Sequence, residues 1–275
     1  DLHSFPTRRS SDLGCMVRYV IRGKDVLKSL SVADGAGSFV SNVYRPFIRN
    51  MKSPYPRVTT ALREFTCEYV DEETAKQVCV SVESLINING KDTFIIQDKY
   101  VVNASGAIEV FSVLTPLKKI LQNMDCFGKQ LRLHNEFGNV EYYGNGDGDN
   151  YIDMCEHTQV GFYSANVDKT FELFNALQEA GNRTNVHFLV ARDNDGDGIV
   201  ISAVKVPFQT RVSPYSDKEI YDSYHNGKKP KQSGVYIDVN AFVSGIGTNN
   251  DGNPLPQYVI RSGEHMLHFT LSPIV

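Results

Sequence analysis

The stretch DTFIIQDKYVVNASGAIEVFSVL, residues 92–114, decides the fold class of this chain. Two runs rich in β-branched and aromatic residues flank residues 103–106, which are typical of a turn. Apolar and polar residues alternate within the runs. Since successive side chains of a strand point to opposite faces, the stretch predicts a β-hairpin with one buried face.

The same pattern continues on both sides of this hairpin. Strand-like runs occupy residues 78–88, 186–206, 234–243 and 256–271, and turn-forming residues separate them about every ten residues. The spacing predicts an all-β fold, a sandwich or a barrel. We find no linker or repeat after residue 13, so residues 14–275 are predicted to form one domain.

Two segments interrupt the strand pattern with helical features. Residues 169–180, KTFELFNALQEA, place Phe171, Phe174 and Leu177 on one face, which predicts a helix. Ser216 and Glu219 have the spacing of a capping box, in which each side chain bonds the other residue's amide. We therefore expect a short helix from Ser216 through Tyr224.

The composition gives no reason to expect nucleic acid or a membrane as partner. The 275 residues carry a net charge of −4, and 41% are apolar. No apolar run approaches the roughly 18 residues that a membrane span needs. Five cysteines lack CxxC spacing, which argues against a disulfide framework and a zinc site.

Two acidic, glycine-rich segments are candidate ligand sites. Residues 193–198, DNDGDG, have the spacing of the first half of a calcium loop, but position twelve is Val204 where a glutamate ligand is needed. A hairpin turn without metal is therefore the favoured interpretation. Residues 144–151, GNGDGDNY, precede no helical pattern, which argues against a phosphate site.

Classical catalytic motifs are missing from the sequence. The seven histidines form no i,i+4 metal pair, and there is no GxSxG nucleophile motif. We predict no catalytic residue, metal or cofactor within this chain.

The first residues have a different character. Residues 4–13, SFPTRRSSDL, resemble one reading frame of a common DNA-sequencing adapter. We expect residues 1–13 to be an artefactual or disordered tail. On this interpretation the remainder is the later part of a longer protein.

Several motifs from about Val58 onward occur in the order found in one enzyme family. Two of them are the segment VEYYGNGDGDNYIDM, residues 140–154, and the segment EAGNRTNVHFLV, residues 179–190. The others are SPYSDKEI with His225, GVYIDVNAFVSGIG, and the closing GEHMLHFTLSPI. The residues that match the family motifs are Gly144, Gly146, Asn150, Tyr151, Asp153, Gly181, Asn182, Arg183, Thr184, Val186, Tyr215, Ser216 and His225. Together they resemble the C-terminal, or small-chain, domain of glycoside hydrolase family 2 β-galactosidases.

This resemblance implies a fold for this domain and a separate catalytic domain. The family domain is a large antiparallel β-sandwich, a supersandwich of galactose mutarotase-like shape. It packs on an upstream (β/α)-barrel whose two glutamates hydrolyse terminal β-galactosides with retention. The isolated chain should then be inactive, any Mg²⁺ or Na⁺ would be held by the barrel, and the full-length enzyme would be an oligomer. Alternatives are a structural or carbohydrate-binding module, and a natural small subunit that docks on a separate catalytic chain.

The resemblance also points to a rim of the sugar pocket. Arg45 and Asn50 in YRPFIRN are the counterparts of a family motif near the domain start. Asn249, Asn250 and Asp251 lie in a second rim motif, in which Gly252 stands at the family's tryptophan position. An indole offers a sugar a flat apolar face, and glycine offers none. We therefore expect an altered rim, or a domain that does not touch substrate.

Overall fold

The computed structural model describes residues 15–16, 18–28, 39–43, 57–70, 77–117, 123–172, 178–226, 230–247 and 254–275. Within them, strands dominate and the predicted all-β fold is confirmed. The strands are β1 (Val20–Ile21), β2 (Lys24–Asp25), β3 (Phe39–Asn42), β4 (Val58–Tyr69), β5 (Gln77–Ile88), β6 (Lys91–Asn103), β7 (Ile108–Pro116), β8 (Asn123–Met124), β9 (Cys126–Leu133), β10 (Asn139–Gly146), β11 (Gln159–Asn166), β12 (Asn182–Val186), β13 (Phe188–Arg192), β14 (Gly198–Ala203), β15 (Phe208–Ser213), β16 (Val235–Val243), β17 (Ile260–Arg261) and β18 (His265–Ile274). The α-helices are α1 (Val167–Thr170) and α2 (Asp217–Asn226).

Two large antiparallel sheets form a sandwich. The nine-stranded sheet has the order β11-β10-β13-β14-β18-β7-β6-β5-β4, and the five-stranded sheet has the order β12-β15-β16-β9-β3. The short pairs β1-β2 and β17-β8 lie outside these sheets. This arrangement confirms the predicted antiparallel β-sandwich.

The main core lies between the two sheets. Strands of the larger sheet contribute Ile96, Val110 and Leu114, and the smaller sheet contributes Phe127 and Val239, all at most 1% exposed. Because only alternate residues of the larger sheet face this core, its strands show the period-two burial that the sequence predicts.

The hairpin predicted from residues 92–114 is formed by β6 and β7. Val102 lies opposite Ile108, and the amide of Asn103 donates to the carbonyl of Ala107 at 2.8 Å. Gly106 has a φ of 84°, a conformation that glycine adopts without a steric penalty. The local turn signal therefore identifies this connection correctly.

A buried ion pair joins the two sheets across the core. Lys129 of β9 donates to Asp98 of β6 at 2.5 Å, and the two side chains are 1% and 5% exposed. Ser112 and Tyr100 also donate to Asp98, at 2.5 and 3.2 Å. Burial and the Asp98 charge raise the pKa of Tyr100 well above its usual value, so this hydroxyl stays protonated.

The two predicted helices have different outcomes. Helix α2 starts as expected: the amide of Glu219 donates to the Ser216 hydroxyl at 3.2 Å, and the Ser216 amide donates to Glu219 at 2.8 Å. The helix predicted over residues 169–180 is wrong in the part described. Helix α1 ends at Thr170, and Phe171 has extended backbone while its ring packs on Tyr215. Here the tertiary contact of one aromatic ring prevails over helix propensity.

Among the described residues, no helix combines the length and apolar character needed to cross a membrane.

Candidate functional site

Three segments meet around the end of β10 in the larger sheet and the edge strand β12 of the smaller sheet. They are residues 144–153, 179–184 and 244–247, and we refer to them as the motif junction. The first two contain family motifs identified in the sequence. Tyr151 anchors the junction to the sheet: its ring packs on Cys126 and Val243, and its hydroxyl donates to Glu179 at 3.2 Å.

Asn150 holds the first two segments together. Its carboxamide oxygen accepts from both the amide and the hydroxyl of Thr184 at 2.6 Å. Its Nδ2 donates to the carbonyls of Asn145 and Gly148 at 3.2 and 3.0 Å. Asn150 is fully buried, and a buried amide needs this set of partners to offset the loss of hydration.

An ion pair reinforces the same contact. Asp149 accepts from the Arg183 guanidinium at 2.6 Å and from the Gly181 amide at 2.6 Å. Arg183 Nε also donates to the Tyr142 hydroxyl at 3.2 Å. Burial raises the pKa of Tyr142, so the hydroxyl stays neutral. Gly181 has a φ of 86°, which favours glycine at this position.

Asp153 fixes the third segment of the junction. Its carboxylate accepts from the amides of Ile246 and Gly247 at 3.2 and 2.8 Å. A Cβ on Gly245 would lie 2.6 Å from this carboxylate, so a side chain there would disturb the contact. Residues 248–253, which include the predicted rim residues Asn249, Asn250 and Asp251, follow this contact in the sequence.

A buried charge cluster supports the sheet beneath these segments. The Arg211 guanidinium, 2% exposed, donates to Asp217 at 2.7 Å and to Asp238 at 2.9 Å. Burial opposes the charge on Arg211, but Asp217 and Asp238 raise its pKa well above the usual value. Since Asp217 begins α2, this cluster ties the helix to the sheet.

The predicted rim residues Arg45, Asn50, Asn249, Asn250 and Asp251 lie outside the described residues. The strands that lead to them are described. In the five-stranded sheet, β3 and β16 flank β9, and Asn42 and Asn240 both lie opposite Gly128. Both strands run antiparallel to β9 and therefore end on the same side of the sheet. Because β9 lies between them, β3 and β16 are two inter-strand spacings, or about 10 Å, apart.

The acidic turn at residues 193–198 is a hairpin turn, as predicted. Arg192 of β13 lies opposite Gly198 of β14, and Asp193 accepts from the amides of Asp195 and Asp197 at 2.9 and 3.0 Å. The three carboxylates of the turn surround the Lys24 ammonium, at 2.8 Å from Asp193, 2.8 Å from Asp195 and 3.2 Å from Asp197. Sequence spacing does not reveal this partner, which lies about 170 residues away.

Four described carboxylates at the motif junction and the Arg211 cluster form ion pairs or accept hydrogen bonds from the backbone. Asp149, Asp153, Asp217 and Asp238 each bind a guanidinium or backbone amides. Within the described ranges, no three His, Cys, Asp or Glu side chains are arranged to hold a metal ion. Among the described residues, these contacts hold backbone segments and a helix in place.

Fold and junction thus define a β-sandwich domain in which β3 and β16 end on either side of the start of β9 in the smaller sheet. A family model described as the β-galactosidase small chain matches residues 3–272, so the chain belongs to that family. The matched range includes the adapter-like residues 4–13, which lie outside the described part.

Curated relatives support this membership. A β-galactosidase of Halalkalibacterium halodurans is 25% identical over 171 residues, covering 61% of this chain and 17% of the relative. A β-galactosidase of Streptococcus thermophilus is 26% identical and covers 56% and 15%. One from Actinobacillus pleuropneumoniae is 23% identical and covers 76% and 20%. The chain thus spans a fifth or less of the length of these relatives.

The chain is also similar to solved structures at low sequence identity. A GalM/aldose epimerase homologue from C. elegans has a TM-score of 0.46 at 10% identity, covering 96% of this chain and 94% of that one. The GH36 α-galactosidase AgaA from Geobacillus stearothermophilus has a TM-score of 0.44 at 6% identity, covering 87% and 30%.

Proposed function

We propose that this chain is the C-terminal domain of a retaining β-galactosidase of glycoside hydrolase family 2. In this function it packs on a catalytic (β/α)-barrel, which supplies both catalytic glutamates and any Mg²⁺ or Na⁺. The domain contributes part of the rim around a terminal β-galactoside. Family membership and the small share of the relatives' length that the chain spans support this proposal.

The observation that supports the rim role is that two strands, β3 and β16, end at the same edge of the five-stranded sheet. β3 leads to Arg45 and Asn50, β16 leads to residues 249–251, and both strands end beside the start of β9. Had they ended on opposite sides of the sandwich, the two segments would not share a pocket. The contact of Asp153 with Ile246 and Gly247 fixes the described residues that directly precede the second rim motif.

A natural small subunit of a two-chain β-galactosidase is the second candidate. The description of the matching family as a small chain favours it. In both versions the purified chain alone should not cleave a chromogenic β-galactoside, since retention needs two carboxyl groups about 5–5.5 Å apart. Turnover by the purified chain that a point substitution within it abolishes would contradict both.

The decisive experiment obtains the DNA upstream of Gly14 and expresses what it encodes. A barrel in the same reading frame supports the C-terminal domain, whereas a separate large chain that co-purifies supports the small subunit. In the complete enzyme, Asp153→Ala should raise KM more than it lowers kcat, because it frees the segment before the rim. Asp168→Ala, at an exposed position of α1, is the matched control and should leave both constants unchanged.

A further inference from the structure

We propose that the outer face of the nine-stranded sheet carries a binding groove for a neutral sugar ring, separate from the predicted rim. The groove crosses β4, β5, β6 and β7 and has a volume of about 290 Å³. This is near the lower end of the volumes of small-molecule pockets, about 300–1,000 Å³. It therefore suits a ligand of one or two rings.

The lining has an apolar base and polar sides. Phe111 and Val113 of β7 form the apolar part, and Ser81, Glu83 and Gln97 stand beside them on β5 and β6. The Phe111 ring is held by the His268 ring, edge to face at 5.5 Å. His268 is fixed in turn by Glu109 at 2.7 Å. The groove thus offers a positioned aromatic ring beside hydrogen-bonding groups.

The polar side chains are oriented before any ligand arrives. Gln97 donates to Glu83 Oε2 at 3.0 Å, and Arg63 lies 3.6 Å from Glu83 Oε1. A β-bulge between Leu62 and Glu64 places both Arg63 and Glu64 near Glu83. Bulges bend an edge strand and redirect its side chains, and they are frequent next to binding sites. Preorganised groups lose less conformational entropy when they bind.

This chemistry selects a neutral polyhydroxylated ring over other ligands. Carboxylates, an amide and hydroxyls bind sugar hydroxyls, which both donate and accept, while Phe111 covers the apolar face of a ring. The charges around the groove balance, because Lys99 and Arg63 accompany Glu64 and Glu83, and this favours a neutral ligand over an ion. The backbone groups of β5 and β6 are already paired within the sheet, so a peptide cannot add as a strand on this face.

The test uses the full chain and saturation-transfer NMR with methyl β-galactopyranoside, methyl β-glucopyranoside and lactose as probes. We expect transfer from the protein to ring protons of at least one probe. Phe111→Ala and Glu83→Gln should each weaken binding about fivefold or more, since each removes roughly 1 kcal/mol of contact. Phe162→Ala, on the same sheet face outside the groove, is the matched control and should bind as the unaltered chain does.

Melting temperatures show whether each variant is folded, and Glu83→Gln decides the question if Phe111→Ala does not fold. The proposal is overturned if no probe shows transfer, if both groove variants bind undiminished, or if only an anionic sugar such as glucuronate binds. The inference does not rest on the proposed β-galactosidase function, because the experiment measures binding without hydrolysis. Either conclusion can fail while the other stands.

Discussion

The two outer faces of this sandwich differ in how far the chain covers them. On the five-stranded sheet, polar side chains of the outer face are buried: Arg211 is 2% exposed and Asp238 1%. The motif junction and α2 cover them. On the nine-stranded sheet, the outer face is open within the described residues, and Phe162 and Met266 are 76% and 62% exposed.

The two faces differ in how their polar groups are stabilised. A covered sheet face with charged residues needs each charge to find a partner, which explains the ion pairs of Arg211 with Asp217 and Asp238. An open face needs none, because water solvates its polar groups. Apolar side chains on the open face are then available to ligands or to another part of a larger protein.

The largest expected loss of stability comes from removing the cation of the charge cluster on the five-stranded sheet. Arg211→Met leaves Asp217 and Asp238 buried without their cation, which should lower the free energy of unfolding by about 3–5 kcal/mol. Urea denaturation measures it. Lys218→Met removes an exposed ion pair with Asp222 and serves as control, with a change below about 0.5 kcal/mol. A loss below 1 kcal/mol for Arg211→Met, a cut-off taken from the range of exposed ion pairs, would contradict the burial of this cluster.

A smaller loss is expected at the motif junction. Asn150→Ala leaves the Thr184 amide and hydroxyl without their acceptor, at a cost of about 1–3 kcal/mol. Hydrogen exchange of the Thr184 amide should accelerate while that of β6 changes little. Asn139→Ala, in an exposed side-chain bond to Asn194, is the control and should leave Thr184 protected. Unchanged Thr184 exchange in Asn150→Ala would argue against this junction.

The acidic turn predicts a pH-dependent effect. The hydrogen bond from Lys24 lowers the pKa of Asp193, so the pair stabilises the fold above the unfolded pKa of about 3.9 and is lost as pH falls through the lower folded value. Lys24→Met should therefore lower the melting temperature at pH 7, and its difference from the unaltered chain should shrink below about pH 4. Lys205→Met, at an exposed position, is the control. A difference that does not depend on pH would mean that Lys24 acts by packing alone.

The smallest effect is expected on the open face. Phe162→Thr removes an exposed ring whose centroid lies 4.7 Å from that of Tyr143, and should cost less than about 1 kcal/mol. By contrast, Phe269→Ala in the core should cost about 3–5 kcal/mol. If the two substitutions lower the free energy of unfolding equally, the face that carries Phe162 is covered in solution. Sedimentation velocity would then reveal self-association.

Local patterns in the sequence predicted the strands and the start of α2. The alternation in residues 92–114 and the spacing of Ser216 and Glu219 are short-range features, and both correspond to the observed structure. The helix over residues 169–180 was not predicted correctly in its described part, because Phe171 leaves α1 to pack on Tyr215. The predicted rim residues stay a prediction, with only the strands that lead to them described.

By itself, the sequence determined the β-class, the turns and the family motifs, because alternation and turn chemistry act over a few neighbouring residues. Only the tertiary structure decided that Lys24 faces Asp193, that Arg211 joins Asp217 to Asp238, and that β3 and β16 end together. These contacts depend on the order of strands in each sheet. That order follows from packing two sheets around one core, and no spacing along the chain encodes it.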